Sequence, residues 1–298
     1  MTKKTVIIIA GPTAVGKTSA AIRLARHLGT SIISADSRQC FKELNIGVAK
    51  PTPEQLQLVP HHFINSHFIQ DLVNAAEFER LASGWVGEIL SYRDYVVMVG
   101  GTGLYLKAFC EGLDAIPQVD DMTRREIQLG YTIHGLGWLQ DEVAHHDPQY
   151  YSKGEILNPQ RLMRALEVKK VTGRSILSFH TPQKKQHPYR IIQVGLQIPR
   201  EELHRNINTR VDQMMQDGLL QEVTSLVDFK HLNALQTVGY KELFEFLEGK
   251  TSLIHAIEEI KKNTRLYAKR QMTWFRKNQQ MHWLEPGDWS GLQEITQS

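Results

Sequence analysis

Gly11, four further residues, then Gly16, Lys17 and Thr18 spell G-x-x-x-x-G-K-T. That spacing suits one kind of chemistry: glycines let consecutive backbone N–H groups curl round an anion, and a following helix adds its partial positive charge. Lys17 offers a point charge for a terminal phosphate, and the Thr18 hydroxyl can ligate a magnesium ion. The context agrees, because the apolar run 6–10 (Val-Ile-Ile-Ile-Ala) precedes the loop and Ala21, Leu24, Ala25 and Leu28 follow at helical spacing. The plainer alternative is a glycine-rich strand-to-helix turn. Gly11, Pro12, Thr13, Ala14, Val15, Gly16, Lys17 and Thr18 therefore predict a di- or triphosphate site, without saying what is done there.

Two other polar loops follow apolar runs. Residues 31–34 (Ser-Ile-Ile-Ser) lead into Ala35-Asp36-Ser37-Arg38-Gln39, and residues 95–99 (Tyr-Val-Val-Met-Val) into Gly100-Gly101-Thr102-Gly103-Leu104-Tyr105. Open α/β sheets gather ligands at strand C-termini, so both loops belong beside the phosphate loop. Asp36 is suited to be a general base or a partner of magnesium, and equally to be a helix N-cap. Thr102 is suited to hold a substrate heteroatom, its alternative being a tight glycine turn.

Basic residues gather in two places. Arg161 and Arg164 stand one turn apart in residues 160–170, and Lys261, Lys262, Arg265, Lys269, Arg270, Arg276 and Lys277 lie between 261 and 277 with Tyr267, Trp274 and Phe275 interleaved. Cations that release counterions, with aromatic faces for stacking, suit RNA; the alternative is a solvated helix face. His61, His62, His67, His145 and His146 lack the carboxylate or cysteine spacing of a metal site.

The elements that must position these groups read as a parallel-sheet core. Beyond the first three strands, helices fit 75–90 (apolar face Phe78, Leu81, Ala82, Trp85, Ile89) and 200–216 (Leu203, Ile207, Val211, Met214). A strand fits 189–198, further helices fit 239–248 and 251–278, and Pro53 is placed to open another. Residues 115–188 change character to helical segments punctuated by proline. The expected organisation is a P-loop α/β core, 1–114 and 189–298, with an all-helical insertion at 115–188. Among 298 residues, 41% are hydrophobic and 22% charged, ordinary values for a globular chain with enough apolar content for a core. The net charge of +3 is too small to argue for nucleic acid by itself, so position must carry that argument. No run of 18 apolar residues exists, no signal peptide is expected, and Cys40 and Cys110 form no C-x-x-C pair. A cytoplasmic protein is expected.

The ordered motifs resemble the tRNA dimethylallyltransferase (tRNA isopentenyl-diphosphate transferase) family. The resemblance rests on the phosphate loop, residues 34–39 and 100–105, and His61-His62. It extends to 161–167 (RLMRALE), 236–242 (QTVGYKE), and 264–274 with KRQMTW at its end, so that it spans 6 to about 277. No Cys/His zinc-finger pattern follows, which resembles the bacterial type. The resemblance implies transfer of a dimethylallyl group from dimethylallyl diphosphate to N6 of the adenosine just 3′ of the anticodon in tRNAs that read UNN codons. It implies magnesium with the diphosphate and an insertion that grips the anticodon stem-loop; a monomer is expected. By the same resemblance Asp36 is the base, Thr102 meets the adenine side, and Arg210 clamps diphosphate. Arg38 and Gln39 hold the flipped nucleotide, Asp36, Ser37 and Thr102 also bind the tRNA, Arg124 meets the tRNA backbone, and Gln160, Arg161, Leu162, Met163 and Arg164 contact the anticodon loop. Rival readings are a prenyltransferase acting on free adenine nucleotides, a P-loop small-molecule kinase, and a non-catalytic RNA-binding protein.

Overall fold

Residues 5–10 form a strand because β-branched side chains fill it and both of its faces are covered. The computed structural model describes residues 4–181 and 185–297. In chain order the first elements are β1 (Thr5–Ala10), α1 (Lys17–Leu28), β2 (Ile32–Ser34), α2 (Pro53–Leu58), β3 (His61–His62), α3 (Ala75–Tyr92), β4 (Tyr95–Gly100) and α4 (Gly103–Glu111). Three helices follow, α5 (Asp121–His146), α6 (Pro148–Lys153) and α7 (Pro159–Thr172). The chain then returns as β5 (Arg190–Leu196), α8 (Arg200–Gln216), α9 (Leu219–Ser225), α10 (Tyr240–Leu247), α11 (Leu253–Phe275), β6 (His282–Leu284) and α12 (Trp289–Gln297). Two compact units result, Met1–Glu111 with Gln186–Ser298, and Gly112–Lys185.

The first unit holds one sheet in the order β3-β2-β4-β1-β5-β6, with every pairing parallel. Ile7 lies opposite Val97 on one side and Ile192 on the other, so β1 is central. Because side chains alternate along a strand, β1 serves two cores. Val6 and Ile8 pack with Val96, Met98 and the Phe78–Ile89 face of α3, while Ile7 and Ile9 pack with Leu24 of α1, Val194 and Ile207 of α8. Truncating one of these isoleucines to alanine costs about 2–5 kcal/mol. The sheet thereby fixes a rigid edge from which β1, β2 and β4 each release a polar loop.

The second unit packs α5 against α7 round Ile127, Leu139, Val143, Leu162 and Leu166. Asp120, Asp147 and Asn158 cap its three helices through their side chains, and Gly135 (φ 77°) breaks α5. Bounds drawn from the sequence, 115–188, fall slightly later at both ends. The long elements match their periodic patterns, and Thr52 with Gln55 forms a capping box for α2. β3 and β6, of two and three residues, are too short for a pattern to show, whereas α12 is not among the expected helices although Trp289, Leu292 and Ile295 recur at helical spacing and pack on the core. Among the described residues no helix is long and apolar enough to cross a membrane.

Candidate active site

The phosphate loop follows β1 directly. Gly11 has φ 147°, a value that disfavours any side chain, and a Cβ there would lie 2.7 Å from the Leu196 carbonyl oxygen of β5. Gly16 caps α1 in the left-handed conformation. The Lys17 ammonium turns back into the loop, where Nζ donates to the Pro12 carbonyl at 2.6 Å. Burial lowers its pKa from 10.5 to about 7; the Asp36 carboxylate acts against that shift, and the Arg210 guanidinium adds to it. Arg210, on α8, donates from Nη1 to Thr13 Oγ1 at 3.4 Å, and desolvation lowers its own pKa. Ala14, Val15, Gly16, Arg210 and Pro286 line a cleft of about 710 Å³ beside the loop. Thr18 Oγ1 takes no hydrogen bond from the described residues, so it stands ready as a ligand.

At the end of β2, Asp36 Oδ1 accepts from the backbone N–H groups of Arg38 at 2.9 Å and Gln39 at 3.3 Å. One oxygen caps a turn, and no bond to Oδ2 occurs among the described residues. No helix starts here, since the next one begins at Pro53, so Asp36 caps a turn and not a helix, and its second oxygen is left for another role. At the end of β4, Thr102 Oγ1 accepts from the Ser37 N–H at 3.1 Å, tying the second and third loops together. The Gln39 side chain faces inward, with Nε2 donating to the Val48 and Ala49 carbonyls and Oε1 accepting from Ser34 Oγ. Arg38 is half-buried in the same turn.

Sequence reasoning missed two supports of this edge, Gln271 and Glu222, and gave Tyr267 and Trp274 only a stacking role. Gln271 of α11 is buried and bridges two loops: Oε1 accepts from the Thr13 N–H and Nε2 donates to the Gly101 carbonyl, both at 2.9 Å. A Cβ on Gly101 would lie 2.2 Å from that Nε2, so the glycine makes room for the bridge. Tyr267 and Trp274, on the same helix face, approach Thr102 and Gly103. The Tyr267 residue keeps 36% of its surface, yet desolvation of its hydroxyl, with Asp36 adding to it, pushes its pKa up to about 12. Glu222 of α9 accepts from the N–H groups of Asn45, Ile46 and Gly47 and from the Tyr240 hydroxyl, bracing the chain just beyond Gln39.

The expected nucleic-acid residues divide by environment. In α11, Lys261 pairs with Asp212 and Glu258, Lys262 with Glu259, and Arg265 bonds Asn208, while Phe275 is buried. Lys269, Arg270, Arg276 and Lys277 have no carboxylate partner among the described residues. In the helical unit, Gln160, Arg161 and Arg124 are exposed and Arg164 half-buried, whereas the Leu162 and Met163 side chains lie in the core.

A parallel sheet with a phosphate loop after its first strand, and a carboxylate and a hydroxyl at the next two strand ends, defines a P-loop protein built to work on a phosphorylated ligand. Comparisons with known proteins narrow that class. Residues 39–278 match the family model described as IPP transferase. The chain is 46% identical to tRNA dimethylallyltransferase 1 of Bacteroides thetaiotaomicron, over 95% of this chain and 92% of that one. It is 48% identical to the tRNA dimethylallyltransferase of Christiangramia forsetii, over 94% and 92%. The solved tRNA isopentenylpyrophosphate transferase of Bacillus halodurans is 35% identical with a TM-score of 0.71, covering 99% of this chain and 94% of that one. A eukaryotic dimethylallyltransferase caught acting on tRNA is 26% identical with a TM-score of 0.76, covering 96% and 75%. The chain belongs to the IPP transferase family.

Proposed function

We propose that the protein transfers the dimethylallyl group of dimethylallyl diphosphate to N6 of the adenosine 3′-adjacent to the anticodon in tRNAs that read UNN codons, releasing diphosphate. The observation that carries this reading is geometric: Lys17 and Arg210 close on the phosphate loop, with bonds to the Pro12 carbonyl and Thr13 Oγ1, while Asp36 and Thr102 stand at the neighbouring strand ends, joined through the turn at Ser37. Groups suited to an anionic leaving group and a group suited to take a proton thus share one sheet edge.

The chemistry asks for that combination. An adenine amino group is a weak nucleophile, because its lone pair is delocalised into the ring. The allylic C–O bond must therefore loosen as N6 attacks C1, and stabilising the departing diphosphate is the largest need. Backbone N–H groups of residues 14–18, with Lys17 and Arg210, serve that purpose. Asp36 Oδ2 accepts the N6 proton, while Oδ1 keeps the carboxylate oriented through its two backbone bonds. The loop adenosine has to leave its stack to reach Asp36, at lower cost than a paired base.

Magnesium fits the residues present. Among the described residues no group of three or more His, Cys, Asp or Glu could hold a metal by itself. One free hydroxyl, that of Thr18, beside a diphosphate site is the donor set of an ion ligated mainly by phosphate oxygens and water. Bound there, the ion would neutralise charge on the leaving group. The same reading takes the protein to act as a monomer in the cytoplasm, where its tRNA acceptor would be met.

The test is mass spectrometry of an unmodified UNN-reading tRNA incubated with the protein, magnesium and dimethylallyl diphosphate, with AMP and ATP as competing acceptors. The expected result is a dimethylallyl gain on the anticodon-loop adenosine alone. Gain on AMP or ATP instead would transfer the assignment to free nucleotides, and no gain on any acceptor would remove it.

A further inference from the structure

Glu167 lies between Leu166 and Val168 on α7, in the core of the helical unit, and is 8% exposed. A carboxylate in that position requires charged or hydrogen-bonding partners. Each of its oxygens has one: Arg164 Nη1 donates to Oε2 at 3.2 Å, and Arg124 Nε of α5 lies 3.9 Å from Oε1. The arginine side chains keep 36% and 46% of their surface, against 10% for the Glu167 side chain. One interior carboxylate therefore anchors two guanidinium groups that stay partly open to water, and Arg124 is held as well by Asp121, whose Oδ1 accepts from its Nη1 at 3.5 Å.

We propose that Glu167 is a positioning residue for RNA: it holds Arg124 and Arg164 as a prepared pair of phosphate contacts. The inference rests on the reading of the helical unit as a tRNA-binding element. An arginine that is already anchored loses less side-chain freedom when it meets a phosphate, so the anchor raises affinity without touching RNA. Charge alone argues the opposite way. A carboxylate beside two arginines weakens the positive field, and deleting it should tighten RNA binding. The sign of a single substitution separates the two accounts.

The experiment uses the full chain and an unmodified UNN-reading tRNA transcript at fixed salt, measuring tRNA Kd, both KM values, kcat and the melting temperature. Glu167→Gln, which keeps the shape and removes the charge, should raise Kd and KM for tRNA about fivefold, leaving kcat and the KM for dimethylallyl diphosphate unchanged. Arg164→Lys keeps the charge but gives up the planar fork. It should show a loss of the same size, and it tests the proposal even where Glu167→Gln fails to fold. In an Arg124→Ala/Arg164→Ala background, Glu167→Gln should add nothing. Tighter tRNA binding by Glu167→Gln overturns the proposal, as does a lower melting temperature with unchanged tRNA affinity. Wild-type tRNA affinity in the double arginine variant overturns instead the RNA-binding reading of the helical unit, and the proposal with it.

Discussion

The loops at the sheet edge and the basic faces of α5 and α7 both present polar side chains, yet they are fixed by different means. At the sheet edge the anchoring runs through backbone. Thr13 N–H is held by Gln271, Ser37 N–H by Thr102, and three consecutive N–H groups by Glu222. In the helical unit Arg124 and Arg164 stand on regular stretches of helix and only the tips of their side chains are placed, by Glu167 and by the surface carboxylate of Asp121. The contrast follows from purpose. Bond making tolerates errors well below an ångström, so whole loops must be located. Gripping a phosphate chain needs charge at roughly the right place, which side chains on rigid helices supply.

The sharpest way to break this contrast is at Asp36. Asp36→Ala should lower kcat by about 10²- to 10⁴-fold, while a filter-binding assay finds tRNA affinity retained. Turnover near that of wild type would remove the base assignment. The next largest effect is expected at Gln271. Gln271→Met keeps the volume but leaves the Thr13 N–H and the Gly101 carbonyl without partners, each costing about 1–3 kcal/mol. A drop in kcat of about tenfold is expected, with a lower melting temperature in calorimetry. Gln271→Glu keeps the acceptor for Thr13 and regains the donor to Gly101 once protonated, so its kcat relative to wild type should rise as pH falls. A ratio flat with pH would reduce Gln271 to packing.

A third expectation concerns protons. Between about 7 and 10.5 the unfolded chain keeps the Lys17 proton while the folded protein releases it. This group therefore adds stability at high pH and loses it as pH falls through that window. Bound diphosphate favours the ammonium and reverses the preference, so binding at pH 8 should take up a proton. Calorimetric titration of diphosphate in buffers of different ionisation enthalpy reads that uptake, and Lys17→Met should abolish it. Equal uptake by both proteins would show that Lys17 is already charged before the ligand arrives.

The sequence displayed what is local and hid what is distant. Gly11 to Thr18, Asp36 and Thr102 were readable because each sits in a short motif after an apolar run. Gln271 was not, since its partner Thr13 lies 258 residues away. A signal existed all the same: Gln271 stands at helical spacing from Ala268 and Phe275 on the buried stripe of α11, where a polar residue calls for a buried partner. The basic segment misled for a related reason. Lys261 is taken up by Asp212 of α8, distant in sequence, and also by Glu258, one turn before it and just outside the segment read as basic. The strand β6 pairs with β5 through three residues, too few for any period to show.

The smallest expected effect sharpens the contrast from the helical side. Arg161 is exposed at the start of α7, without a carboxylate partner among the described residues. If it serves only as a phosphate contact, Arg161→Ala removes one released counterion. The slope of log K against log salt for tRNA binding should then flatten by about 0.7–0.9, with KM for tRNA rising about threefold and kcat unchanged. The slope matters more than the affinity, because a general loosening of α7 would weaken binding without changing the number of ions released. A fall in kcat at constant tRNA affinity would instead make Arg161 part of the reacting geometry, and the division between backbone-fixed chemistry and side-chain grip would no longer hold.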